Sequence, residues 1–97
     1  MDVMHRVGDI EFEWDARKAR TNFEKHGVTF ERATEAFFDP FCQGGDASVG
    51  RERRSFILGY TPSPRLLLVV YEERPRSLRI ISARAATRAE RMLYEQD

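Results

Sequence analysis

Ile10, Phe12 and Trp14 alternate with Glu11 and Glu13, the period of two that leaves one face of a short strand in water. The period then lengthens. Asp15 has the short carboxylate that caps a first helical turn, and Ala16, Ala19 and Phe23 follow at helical spacing, predicting a helix to about His26. Gly27 suits the position after a helix end, because glycine takes positive φ without a Cβ clash. Thr29 caps a second helix whose Phe30, Ala33 and Phe37 share a face, and Asp39-Pro40 stops it. The two form a helical hairpin with a minimal connection.

The second half reads differently. Gly44, Gly45, Asp46, Ser48 and Gly50 mark residues 42 to 52 as a loop. Phe56 to Tyr60 is expected as a strand, TPSP at 61 to 64 as a turn, and LLLVVY at 66 to 71 as a strand apolar on both faces, hence mid-sheet. After a turn at Glu73 to Ser77, Leu78 to Ser82 gives another strand. Such short connections permit only antiparallel neighbours, so the three form a meander. From about Ala85 to Gln96, Ala89, Met92 and Leu93 predict a last helix with its apolar seam inward and Arg88 and Arg91 outside it. The expected class is α+β, as one domain over residues 1 to 97.

Composition agrees with a folded chain: of 97 residues, 41% are hydrophobic and 33% charged. No apolar run approaches the roughly 18 residues of a membrane helix, and no signal-peptide pattern opens the chain, so a cytoplasmic protein is expected. Cys42 stands alone, which excludes an internal disulfide, and with only His5 and His26 beside it no Cys/His zinc site is expected. Net charge is zero but unevenly spread: residues 1 to 50 carry six cations and ten acids, net −4, and residues 51 to 97 carry ten and six, net +4. Of the 16 cations only Lys18 and Lys25 are lysines, leaving 14 arginines, whose planar forks suit phosphate oxygens.

Several side chains have two readings. Lys25 and His26 complement the negative end of a helix, an effect of about 0.3 to 1 kcal/mol for an exposed cation. Equally, an imidazole moves protons near neutrality, and a lysine beside it neutralises phosphate charge. Glu52 and Arg54, two residues apart in extended chain, point the same way and form either a base beside a phosphate clamp or a charged sheet edge. Arg74 falls in a turn. Arg84, between a strand and a helix N-terminus, calls for an anionic partner, either an internal acid or a ligand. Asn22, one turn before His26, either holds that imidazole or ties the hairpin to the sheet.

FEWD at 12 to 15, Lys18, Asn22, KHGVTFE at 25 to 31, Ala33, FFDP at 37 to 40, Arg54 to Gly59, LLVVYEER at 67 to 74 and RIISARAATRAER at 79 to 91 occur in an order and spacing that resembles the BrnT family of bacterial type II toxins. The loop at 44 to 53 departs from that pattern, offering Ser48 and Glu52 where the family often has a histidine and two acids. The resemblance implies a RelE-like domain and an endoribonuclease that blocks translation. It also implies neutralisation by a BrnA-type ribbon-helix-helix antitoxin, in a hetero-oligomer that reaches operator DNA only through the antitoxin. No cofactor and no metal are implied. It brings Lys25 and His26 over the sheet edge near Glu52, Arg54, Arg74 and Arg84, with His26 or Glu52 moving protons and the cations holding phosphate. The competing class is a non-catalytic RNA- or protein-binding module built on the same arginines, including an inactive toxin fold that acts in repression with its antitoxin.

Overall fold

The computed structural model describes residues 1 to 96. Two strands, β1 (Asp2–Val7) and β2 (Ile10–Asp15), lead into helices α1 (Ala16–His26) and α2 (Phe30–Glu35). A short 3-10 turn at Ala36–Phe38 follows, then β3 (Gln43–Asp46), β4 (Ser55–Tyr60), β5 (Leu66–Glu73), β6 (Leu78–Ala85) and α3 (Arg88–Glu95). The strands form one mixed sheet in the order β1-β2-β6-β5-β4-β3. The expected meander is its β4-β5-β6 part, antiparallel throughout. The α+β class stands, but the sheet has six strands where the sequence pattern suggested four.

Two strands escaped that pattern for identifiable reasons. In β1 the inward positions are Val3, His5 and Val7 and the outward ones Asp2, Met4 and Arg6, so a polar residue sits inside and an apolar one outside. His5 is accommodated by stacking on Trp14 at 5.6 Å between ring centroids. The loop expected at 42 to 52 contains β3, whose Gly44 and Gly45 carry no side chain to show a period and pair with Ile57 and Phe56 of β4. Strand β6 also runs three residues further than expected, so α3 starts at Arg88 and not near Ala85.

The core lies on the face of the sheet that α1 and α2 cover. Phe12 and Trp14 of β2, Ile57 of β4, Leu67 and Val69 of β5, and Ile80 and Ala83 of β6 meet Phe30, Ala33 and Ala36 from the α2 segment. Burial of large apolar groups such as these contributes about 1.5 to 3 kcal/mol each. Gly59 lets the 3-10 turn sit directly on β4, since a Cβ there would lie 2.3 Å from the Ala36 carbonyl oxygen. The caps follow the sequence reading: Asp15 accepts from the Lys18 N–H, Thr29 from the Arg32 N–H, and Gly27 takes φ 71° and donates to the Phe23 carbonyl.

On the opposite face α3 crosses β4, with Tyr94 edge-on to Tyr60 and its hydroxyl donating to Asp39. Its apolar seam does not turn inward as expected: Met92 is 58% exposed and Leu93 57%. The reason lies in the polar anchors. Glu90 and Tyr94, one turn apart, bind Arg84 and Asp39 and so face the sheet, rotating Met92 to the far side. Among the described residues, no helix is long and apolar enough to cross a membrane.

Candidate functional site

Strand β2 pairs with β6 only at Phe12–Leu78 and Glu13–Arg79, after which the chain turns away into α1. Beyond Arg79 the edge of β6 would lack a partner, and α1 supplies one. Asn22 donates through Nδ2 to the Ala83 carbonyl (2.8 Å) and accepts the Ala83 N–H at Oδ1 (3.1 Å), standing in for a peptide of the missing strand. The same Nδ2 donates to the Val28 carbonyl (3.2 Å) and so holds the helical hairpin closed. Of its two expected uses, Asn22 ties the hairpin to the sheet.

This side-chain graft lays α1 along β6 and leaves a groove of about 350 Å³ between them. Arg17, Lys18, Lys25 and His26 line it with the hydroxyls of Thr21 and Ser82, and no carboxylate does. None of the four basic residues forms an ion pair among the described residues. In a chain with as many acids as cations, four free bases around one hollow concentrate positive potential there, and phosphate is the ligand chemistry that fits. Lys25 and His26 occupy the last turn of α1, so stabilising its C-terminus and facing the groove are compatible roles.

The remaining expected site residues lie elsewhere. Strand alternation puts Glu13, Glu72, Arg79 and Arg84 on the face away from α1 and α2. Arg54 donates through Nη1 to Glu72 Oε1 and Arg74 through Nε to Glu72 Oε2, both at 2.9 Å, so one carboxylate clasps two guanidiniums. Glu52 is the looser neighbour, with Oε2 3.7 Å from Arg54 Nη2 and a side chain 71% exposed against 19% for Arg54. Ser48, at the position that departs from the resembled pattern, accepts the Arg54 N–H (3.0 Å) and donates to Asp46 (2.8 Å), which pins the loop. Glu72 did not stand out in the sequence because its arginines lie 18 residues before it and two after it.

Arg84 has an internal acid as its partner. Its Nη1 and Nη2 donate to Glu90 Oε1 and Oε2 at 2.7 and 2.8 Å, and the same carboxylate accepts the Thr87 N–H in a capping box. The Arg84 fork and the Thr87 N–H hold the Glu90 carboxyl down at about 2, against the opposing effect of burial. Arg84 pairs with Leu68, four residues along β5 from Glu72 and hence about 13 Å away at a strand's rise per residue. The single cleft expected for Lys25, His26, Glu52, Arg54, Arg74 and Arg84 is therefore corrected to three places, because the parallel β2–β6 pair sets α1 at the free β6 edge and not over the end of β4.

The groove residues overlooked in the sequence left a readable trace. Arg17, Thr21 and Lys25 repeat at four-residue intervals, as do Lys18, Asn22 and His26, which places two adjacent rows on one side of α1. The other wall, Ile81 and Ser82, arises only from the splay of β2 and β6.

The model of a protein family described as "Ribonuclease toxin, BrnT, of type II toxin-antitoxin system" matches residues 14–90. The 1.1 Å crystal structure of the ribonuclease toxin BrnT from Brucella abortus is similar to this fold with a TM-score of 0.53, at 23% identity, over 77% of this chain and 94% of that one. No curated protein matches the chain.

Proposed function

The chain belongs to the BrnT family of ribonuclease toxins of type II toxin–antitoxin systems, and from that premise we propose that it cleaves RNA without a metal ion, with the scissile phosphate held in the α1–β6 groove. The observation that carries this reading is the set of four unpaired bases around a hollow lined by no carboxylate. His26 removes the proton of the RNA 2′-hydroxyl. The oxygen so activated attacks the adjacent phosphorus, the bond to the 5′-oxygen breaks, and the products end in a cyclic 2′,3′-phosphate and a 5′-hydroxyl. Lys25, Lys18 and Arg17 hold the phosphate and stabilise the extra charge of the phosphorane, while water at the open mouth of the groove protonates the leaving oxygen. Such acid–base help is worth about 10²- to 10⁴-fold, and each aimed cation about 10²- to 10³-fold.

In this proposal Arg54, Arg74 and Arg84 are structural, because Glu72 and Glu90 already occupy them, and Glu52 has no part in proton transfer. The partner that silences the toxin in the cell is a ribbon-helix-helix antitoxin of BrnA type. The same saturation of three arginines is what favours the competing reading, a module that binds RNA without cutting it. Incubating the purified protein with end-labelled RNA in chelator separates the two. Products bearing cyclic phosphate are expected, whereas salt-sensitive binding with no products establishes the module.

A further inference from the structure

The last turn of α1 separates the groove from a second hollow, of about 340 Å³, on its other side. His26 lines the first and Gly27 the second, so the two mouths are one residue apart along the chain. Phe23, Arg32, Ser63 and Arg65 build the second hollow, and again no carboxylate lines it. Phe23 is 51% exposed, although it continues the helical spacing of Ala16 and Ala19. Arg32 is aimed by Ser63, whose Oγ accepts from Nη1 at 2.8 Å, and the one acid it pairs with among the described residues, Glu35, is distant at 3.9 Å. The Arg65 side chain makes no ion pair among the described residues.

We propose that this hollow is a nucleotide subsite that takes the base and phosphate of single-stranded RNA next beyond the two nucleotides joined by the cleaved bond, with the base stacked on Phe23 and the phosphate between Arg32 and Arg65. The proposal rests on the reading of the α1–β6 groove as the place of cleavage. Its chemistry is that of other single-strand tracks, in which cations follow the backbone and an open aromatic ring offers a sequence-tolerant platform. A guanidinium beside such a ring adds attraction for a stacked, polarised base. A protein partner with acidic side chains would use the arginines but would leave the ring without a purpose. Continuity with the groove across Gly27 therefore favours nucleic acid.

The test uses 2′-O-methyl oligonucleotides, which bind but are not cut, as a dinucleotide that fills only the groove and an octanucleotide that reaches the second hollow. Phe23→Ala and Arg65→Ala should each weaken the octanucleotide about 5- to 100-fold and leave the dinucleotide unchanged, and Phe23→Trp should restore binding. Unchanged octanucleotide affinity in both variants, with Lys25→Ala still weakening it, overturns the subsite and leaves the groove reading standing. Equal loss for both lengths also overturns it, since the substitutions would then act through the fold. If Lys25→Ala fails to weaken either oligonucleotide, the groove reading falls and the subsite with it.

Discussion

The α1–β6 groove and the opposite face of the sheet both display clustered cations, and they differ in what surrounds each one. On the sheet face four guanidiniums meet carboxylates: Arg54 and Arg74 share Glu72, Arg79 binds Glu13 and Asp2, and Arg84 binds Glu90. In the groove Arg17, Lys18, Lys25 and His26 share the lining with Thr21, Asn22, Ile81 and Ser82, and none of the four forms an ion pair among the described residues. The lesson is that the number of arginines on a surface says little about anion binding, because a guanidinium already in a bidentate pair must lose that pair before it can take phosphate. Net charge by half misleads in the same way: the second half, net +4, holds Arg54, Arg74, Arg79 and Arg84 in ion pairs, while the unpaired bases of the groove belong to the acidic first half.

The largest expected effect lies in the groove. His26→Gln should lower the RNA cleavage rate about 10²- to 10⁴-fold with unchanged far-UV circular dichroism and antitoxin binding; a rate within twofold of wild type would remove the imidazole from the reaction. Next is the residue that creates the groove. Asn22→Leu leaves the Ala83 N–H and the Ala83 and Val28 carbonyls without their buried partner, a loss of about 2 to 4 kcal/mol visible as a lower urea midpoint. An unshifted midpoint would mean that the β6 edge needs no substitute strand.

On the sheet face the effects should be smaller and concern stability. Glu90 has its folded carboxyl depressed to about 2 from an ordinary 4.5, so the stability it contributes is fully present above pH 4.5 and is lost as pH falls toward 2. After allowance for solvent screening this amounts to about 1 to 3 kcal/mol. Wild type should lose it across that window, and Glu90→Gln, already without it at pH 7, should show a flatter acid limb; parallel limbs would contradict the pairing. The smallest change comes from unmaking the neutralised state. Glu72→Gln releases Arg54 and Arg74 and should raise affinity for single-stranded RNA about two- to fivefold, whereas a loss of affinity would show that Glu72 positions them for RNA.

What the sequence made legible was local chemistry. Asp15, Gly27 and Thr29 announce their helix ends through the hydrogen bonds those residue types make within three or four positions, and the structure has each of them in that role. Strands β4, β5 and β6 were legible for the same reason, since alternation and apolar runs repeat within each segment. His5 inside and Met4 outside hid β1, and Gly44-Gly45 hid β3. The availability of a cation was not legible, because it depends on an acid brought up by folding: Glu72 reaches Arg54 across a strand pair, and Glu90 reaches back to Arg84 from α3. The exposed seam of α3 has the same origin, since Asp39 pulls Tyr94 inward from 55 residues away.

The groove cations are free and those of the sheet face are engaged, and RNA binding should distinguish the two. The most direct measurement is the salt dependence of binding to a non-cleavable single-stranded RNA, compared between Lys25→Ala and Arg84→Ala. Each phosphate contact contributes about 0.7 to the slope of log affinity against log salt concentration for a single strand. Lys25→Ala should flatten the slope by about that amount, and Arg84→Ala should leave it unchanged. A slope that flattens for Arg84→Ala and stays the same for Lys25→Ala would place the RNA on the sheet face and contradict the account.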